Sequence, residues 1–168
     1  MRFILVDRII ALEPPKRVVA AKSLSLAEEY LADHFPTFPV LPGVLMLEAM
    51  VQAAAWLVRT TQDFAHSMIV LEEAKNISYK SFVPPGRTLE VTAEAIEIGD
   101  RSSEFKAFGR CENEEIVKAR LKLRHYNLAE TDSGLADIDR RLVSELRQRF
   151  QLLGGPSAMR SVALAGNV

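Results

Sequence analysis

Two titratable side chains stand fourteen residues apart across a proline-rich stretch, His34 and Glu48. Prolines at 36, 39 and 42 forbid both a helix and a central strand over His34–Pro42. His34 is therefore expected on a stiff loop, and functional groups gain from rigid support. Glu48 lies in Val44–Val58, fifteen residues in which Glu48 and Gln52 are the polar ones before the run ends. An ionised carboxylate in such surroundings is expensive, so Glu48 must be paired, hydrogen-bonded or protonated. A carboxyl held toward its protonated form suits a general acid; a structural Glu paired with a basic residue would satisfy the same spacing. Gln52, four residues on, shares the helical face of Glu48 and can fix its rotamer. Gly43 stands where the apolar run begins, so unpaired N–H groups and the helix dipole meet there, a ready site for a developing oxyanion.

Other chemistry is poorly represented. There is no Gly-x-Ser-x-Gly elbow, no phosphate-binding or dinucleotide fingerprint, and no His/Cys/carboxylate spacing suited to zinc, so no metal is expected. Cys111 sits beside Glu112 and Glu114, which disfavour a thiolate. His66 precedes a strand in a polar stretch, and His125 is expected to face solvent at the end of a cationic strand.

The elements that must position these residues follow from periodicity. Val44–Val58 is rich in Leu, Met and Ala without Gly or Pro, which predicts a helix buried on nearly every side. Strands are expected at Phe3–Leu12 and Arg17–Leu24, with a helical turn over Ala27–Leu31. Further strands are expected at Ser67–Leu71, Asn76–Val83, Thr88–Ile98, Ser103–Arg110 and Ile116–Tyr126. The last of these puts Lys118, Arg120, Lys122 and Arg124 on one face and Val117, Ala119, Leu121 and Leu123 on the other, the pattern of antiparallel hairpins with one wet face. Leu135, Ile138, Leu142, Leu146, Phe150 and Leu153 recur at steps of three or four and predict an amphipathic helix. Thr131, Asp132 or Ser133 would cap it, and Gly154-Gly155-Pro156 would stop it. One long buried helix followed by antiparallel strands is an α+β arrangement in which a single curved sheet wraps the helix. Its edges favour pairing in a dimer.

Composition sets the class. The 168 residues carry 21 Lys+Arg against 22 Asp+Glu, a net of −1, which argues against binding nucleic acid by phosphate neutralisation or anionic membranes by a basic surface. With 48% hydrophobic and 26% charged residues the chain is expected to be a globular domain without a membrane span. A lone cysteine and no signal-like leader fit a cytoplasmic setting.

The run from His34 to Ala53, HFPTFPVLPGVLMLEAMVQA, resembles the (3R)-hydroxyacyl-[acyl-carrier-protein] dehydratases, whose signature is HFP, a proline-rich connection, PGVL, then EAMxQ. The step from His34 to Glu48 fits without a gap, and FILVDR at Phe3–Arg8 and FVPPGRTL at Phe82–Leu89 fit as flanks, so the resemblance covers about residues 3–126. Several positions depart from the pattern: Asp33 replaces the usual glycine before HFP, Phe38 stands where a basic residue is common, and basic positions before the PPG turn are partly replaced, for instance by Ser78.

The resemblance implies a hot-dog fold over residues 1–128, followed by a helical extension and tail over 129–168 that the family does not typically have. It implies a homodimer, with a trimer of dimers as the higher assembly typical of the family, and His34 of one subunit facing Glu48 of the other. The substrate would be a 3-hydroxyacyl thioester on the phosphopantetheine of acyl carrier protein, dehydrated to the trans-2-enoyl thioester without metal or redox cofactor. Elimination needs a base at C2, an acid for the C3 hydroxyl and stabilisation of enolate character on the thioester oxygen. His34 would be the base, Glu48 the acid and Gly43, with Val44, the oxyanion side, the roles of His34 and Glu48 being partly interchangeable. Gln52 would position Glu48, and Met46, Met50, Trp56 and Phe38 would line an acyl tunnel. The competing expectations are a hot-dog thioesterase, which would deliver water to the carbonyl, and a non-catalytic acyl-binding or assembly subunit.

Overall fold

The apolar run after Pro42 forms one long helix, α1 (Gly43–Thr61), in a computed structural model that describes residues 4–159. Ten of its nineteen residues are buried, as expected of a helix apolar almost all round. At its C-terminal end the Thr60 and Thr61 hydroxyls donate back to Trp56 and Leu57 carbonyls, and the Phe64 N–H returns to Arg59 O at 2.7 Å.

Six antiparallel strands curve around this helix: β1 (Arg8–Glu13), β2 (Arg17–Ser23), β3 (Met68–Tyr79), β4 (Thr88–Ile98), β5 (Ser102–Cys111) and β6 (Glu114–Tyr126). Their order in the sheet is β1-β2-β4-β5-β6-β3, so β1 and β3 are the edges. The face toward α1 carries Val18, Ala20, Leu89, Val91, Ala93, Phe105, Leu121 and Leu123, all buried. The opposite face of β6 carries Lys118, Arg120, Lys122 and Arg124, the wet face its alternation predicts. This is the α+β arrangement expected from the sequence, a helix held in a curved sheet.

Three local expectations give way. The stretch expected as two strands, Ser67–Leu71 and Asn76–Val83, is the single strand β3, ending at Tyr79. Its register shifts at Leu71/Glu73 and again at Lys75/Ser78, and Asn76 has φ +52°, so bulges break the alternation that marks a strand. Among the described residues the first strand begins at Arg8, later than expected, and position 3 lies outside them; the Leu5 N–H donates to Gln52 Oε1 on α1 at 2.9 Å, and the chain first bonds β2 at Asp7, whose N–H donates to Ala21 O at 2.9 Å. His125 is fully buried rather than solvent-facing, because it follows Leu121 and Leu123 in the odd, inward register of β6.

The C-terminal helix α2 (Ala136–Leu152) follows two short 3₁₀ turns, Leu128–Glu130 and Ser133–Leu135. The Asp132 carboxylate accepts from the Gly134 N–H and so caps the second turn; α2 itself starts after Leu135 with no side-chain cap, so none of the three expected residues caps the helix directly. Phe150 packs between Trp56 and Phe64, at 5.9 Å from each ring centroid. Asp139 is buried and accepts from Ser67 Oγ and from the Leu128 and Ala129 N–H groups at 2.9 and 2.8 Å. The chain turns at Gly154, φ +74°, and is helical again over 155–159. A Cβ at Gly155 would collide with the Phe150 ring, so glycine is required for that ring to seat. The end of the expected tail, 160–168, lies outside the described residues.

Candidate active site

His34 follows a 3₁₀ turn (Glu29–Ala32) and opens the proline loop. The loop is tied down by its backbone: His34 N–H to Tyr30 O at 3.1 Å, Val40 N–H to His34 O at 3.2 Å, and Leu41 N–H to Val83 O at 2.9 Å. The half-buried imidazole stacks on the Phe35 ring at 4.2 Å, and Nδ1 lies 3.3 Å from Val40 O. A carbonyl can only accept, so this contact requires the proton on Nδ1 and leaves the Nε2 lone pair available as a base.

Glu48 is half-buried on α1, and Gln52 Nε2 donates to its Oε1 at 2.9 Å, the i+4 contact that the spacing predicts. Gln52 uses both ends of its amide, since its Oε1 accepts from Leu5. The carboxyl is thereby fixed through Gln52 to the segment that crosses the helix, and Glu48 lines a cleft of about 210 Å³. Ile4, Val6, Val51, Ala55, Trp56 and Leu146 contribute the apolar walls of that cleft.

Gly43 begins α1 directly after Pro42, and among the described residues the Gly43 and Val44 N–H groups donate to no carbonyl. A Cβ at Gly43 would sit 3.1 Å from Tyr79 Cε1, so the missing side chain lets the Tyr79 ring lie against the helix start. Val44 is 69% exposed. Phe38 is also exposed, its ring meeting the exposed Phe82 edge-on at 5.7 Å. With Phe35 and Tyr79 these residues make an exposed apolar surface around the loop and the helix start, of the kind that marks an interaction site.

Within one chain the loop and helix present their groups separately: His34 bonds Val40, Glu48 bonds Gln52, and no contact between His34 and Glu48 occurs among the described residues. Of the four side chains expected along an acyl tunnel, Trp56 lines the cleft. Met46 and Met50 are buried in the core against the sheet, on the face of α1 opposite the cleft-lining residues, and Phe38 is on the outer loop surface. Sequence reasoning missed Arg59 and Arg149, which also line the cleft. Arg59 was within reach of the same helical spacing, since 48, 52, 55, 56 and 59 fall on one face; Arg149 arrives from α2 and has no local signal. Burial and the neighbouring Glu112 push the Cys111 thiol up, which keeps it protonated as its setting suggests. No cluster of three His, Cys, Asp or Glu suited to a metal occurs among the described residues, and no described helix is long and apolar enough to cross a membrane.

Comparison with known proteins places these features in company. The FabA-like domain model matches residues 1–120. The chain is 38% identical over 107 residues to a 3-hydroxyacyl-[acyl-carrier-protein] dehydratase FabZ of Ruminiclostridium cellulolyticum, covering 62% of this chain and 75% of that one. It is 37% identical over 123 residues to the FabZ dehydratase of Albidiferax ferrireducens, covering 71% of this chain and 81% of that one. Among solved structures, the dehydratase heterocomplex ApeI:P from Xenorhabdus doucetiae superposes with a TM-score of 0.64 at 17% identity, over 79% of this chain and 90% of the other. That last likeness is one of fold, and the fold is the hot-dog.

Proposed function

This chain belongs to the FabA-like family, alongside the FabZ 3-hydroxyacyl-[acyl-carrier-protein] dehydratases, and on that premise we propose that it removes water from a (3R)-hydroxyacyl thioester carried on acyl carrier protein. The observation that carries the reading is the ungapped set of His34 on a pinned loop, the free N–H groups at Gly43 and Val44, and Glu48 held by Gln52. His34 Nε2 takes a proton from C2 of the substrate. The Gly43 N–H donates to the thioester oxygen as enolate character develops, and the helix dipole adds to it. Glu48 gives its proton to the C3 hydroxyl, the C3–O bond breaks, and water and the trans-2-enoyl thioester leave. The imidazolium and the carboxylate then return to their starting states by exchanging one proton with solvent.

The site is completed by a second copy of the chain. His34 and Glu48 make no contact within one chain, and the exposed apolar surface around His34 and Gly43 suits burial against a partner. No cofactor enters the reaction; the phosphopantetheine arm arrives with the substrate, and the working compartment under this reading is the cytoplasm.

The test is turnover of 3-hydroxyacyl thioesters on acyl carrier protein, with product identified by mass. Enoyl thioester formation by the wild type, abolished in His34→Ala and in Glu48→Ala, is the expected result. Full activity in either variant would overturn the assignment, and free thiol release without enoyl product would make the chain a thioesterase instead.

A further inference from the structure

The cleft beside Glu48 has a charge arrangement that dehydration of a plain fatty chain does not use. Glu48 and Gln52 stand at one end, and Arg59 follows Glu48 by eleven residues, about 16 Å of helix. The Arg59 side chain leans back over the Trp56 ring, 5.1 Å from its centroid. Arg149, from the helix that the family match does not reach, lines the same end. Leu146 closes the wall between.

Among the described residues neither arginine has an ion-pair partner, and the cleft lining holds one carboxylate, that of Glu48. Arg59 Nε is buried and makes no hydrogen bond. Glu48 is the acidic residue of the lining, and it lies at the far end. Burial and then the like charge of Arg149 push the Arg59 guanidinium down to about 10, so it stays protonated at neutral pH. Two cations brought together with buried donors unsatisfied are unfavourable until an anion joins them.

The geometry points to an anion-reading subsite: Arg59 and Arg149 receive a carboxylate at the distal end of the acyl chain, so that the preferred substrate is an ω-carboxy-3-hydroxyacyl thioester. This rests on the dehydratase reading for the end at Glu48, where the C3 hydroxyl sits. The chain beyond C3 then runs along the apolar wall past Trp56, and its terminal carboxylate reaches the two guanidinium groups, which suit a planar oxyanion.

Two measurements test it. In the first, kcat/KM is compared for 3-hydroxysuberoyl and 3-hydroxyoctanoyl pantetheine thioesters, which share a chain length and differ in the end group. The wild type is expected to favour the carboxylate at least tenfold, and the ratio is expected to collapse in Arg59→Gln and in Arg149→Gln but to survive Arg149→Lys. In the second, calorimetry follows octanoate and octanol binding without turnover. Octanoate is expected to bind at least tenfold more tightly than octanol, and the Arg59→Gln/Arg149→Gln double variant to lose that difference while still binding octanol, which reports an intact cleft. Equal binding of octanoate and octanol by the wild type, or a preference that survives in the double variant, would overturn the subsite. Selective octanoate binding with no dehydration of either thioester would keep the subsite and remove the dehydratase reading; dehydration with the methyl-ended chain preferred would do the reverse.

Discussion

Helices α1 and α2 meet across one cleft but are held in opposite ways. α1 is buried along most of its length inside the sheet, and the polar residues it presents to the cleft fall on one line, Glu48, Gln52 and Arg59. α2 is charged over most of its surface and has two buried residues, Asp139 and Phe150. The first helix is fixed by area spread over many contacts, and the second by two anchors. A helix of the first kind can carry reactive groups, because replacing one polar residue leaves its position untouched. A helix of the second kind can be detached by a single change.

The sharpest separation comes from Glu48→Ala. It is expected to lower kcat/KM by about 10³-fold, about 4 kcal/mol of transition-state stabilisation, while the thermal midpoint stays within a few degrees; a collapse of the midpoint would erase the contrast. Phe150→Ala is expected to cost about 3 kcal/mol, the scale of a truncated buried aromatic. Hydrogen exchange should show that loss in α2 and leave α1 protected. Asp139→Ala strands the Ser67 hydroxyl and two backbone N–H groups and is expected to cost about 2 kcal/mol, again confined to α2 and the 128–135 turns. Gln52→Leu frees the Glu48 carboxyl and the Leu5 N–H together, and a drop of about tenfold in kcat/KM with KM nearly unchanged is expected.

The smallest effect is on pH. Burial alone would raise the Asp139 carboxyl, but the bonds from Ser67, Ala129 and Leu128 outweigh it and hold the group below its ordinary 3.8. The folded state then binds this proton more weakly than the unfolded chain does. Its contribution is complete above the ordinary value and is lost as pH falls through the lowered one. Acid titration below pH 4 should therefore loosen α2 before the sheet melts, and Asp139→Asn should remove that early step.

What could be read from the residues divides along the same line. α1, the proline loop and the pairing of Glu48 with Gln52 depend on neighbours within four residues, where composition and period are informative. β4 and β6 were legible because alternation runs through them nearly unbroken. β3 was not, since its bulges put the pattern out of phase. The contact of Ser67 with Asp139 joins residues 72 apart, and Arg149 shares a cleft with Arg59, ninety residues earlier (149 − 59), beside the seat of Phe150 between Trp56 and Phe64. Nothing local encodes such meetings. His125 is a different case: its neighbours are cationic, but the parity of the strand places it with Leu121 and Leu123 inside.

One backbone contact of the extension bears on how copies of the chain can add together. The Ile9 N–H, on the outer side of β1, donates to Leu153 O at 2.9 Å. The chain's own C-terminal segment thus meets that edge at Ile9, and an incoming strand would have to displace it there. A sheet open at both edges can grow without limit into a fibre, whereas a sheet open at one edge can only meet a second such edge and stop. With the extension bonded at Ile9, β3 is the edge left uncovered among the described residues, the one at which a two-fold pairing could close the assembly.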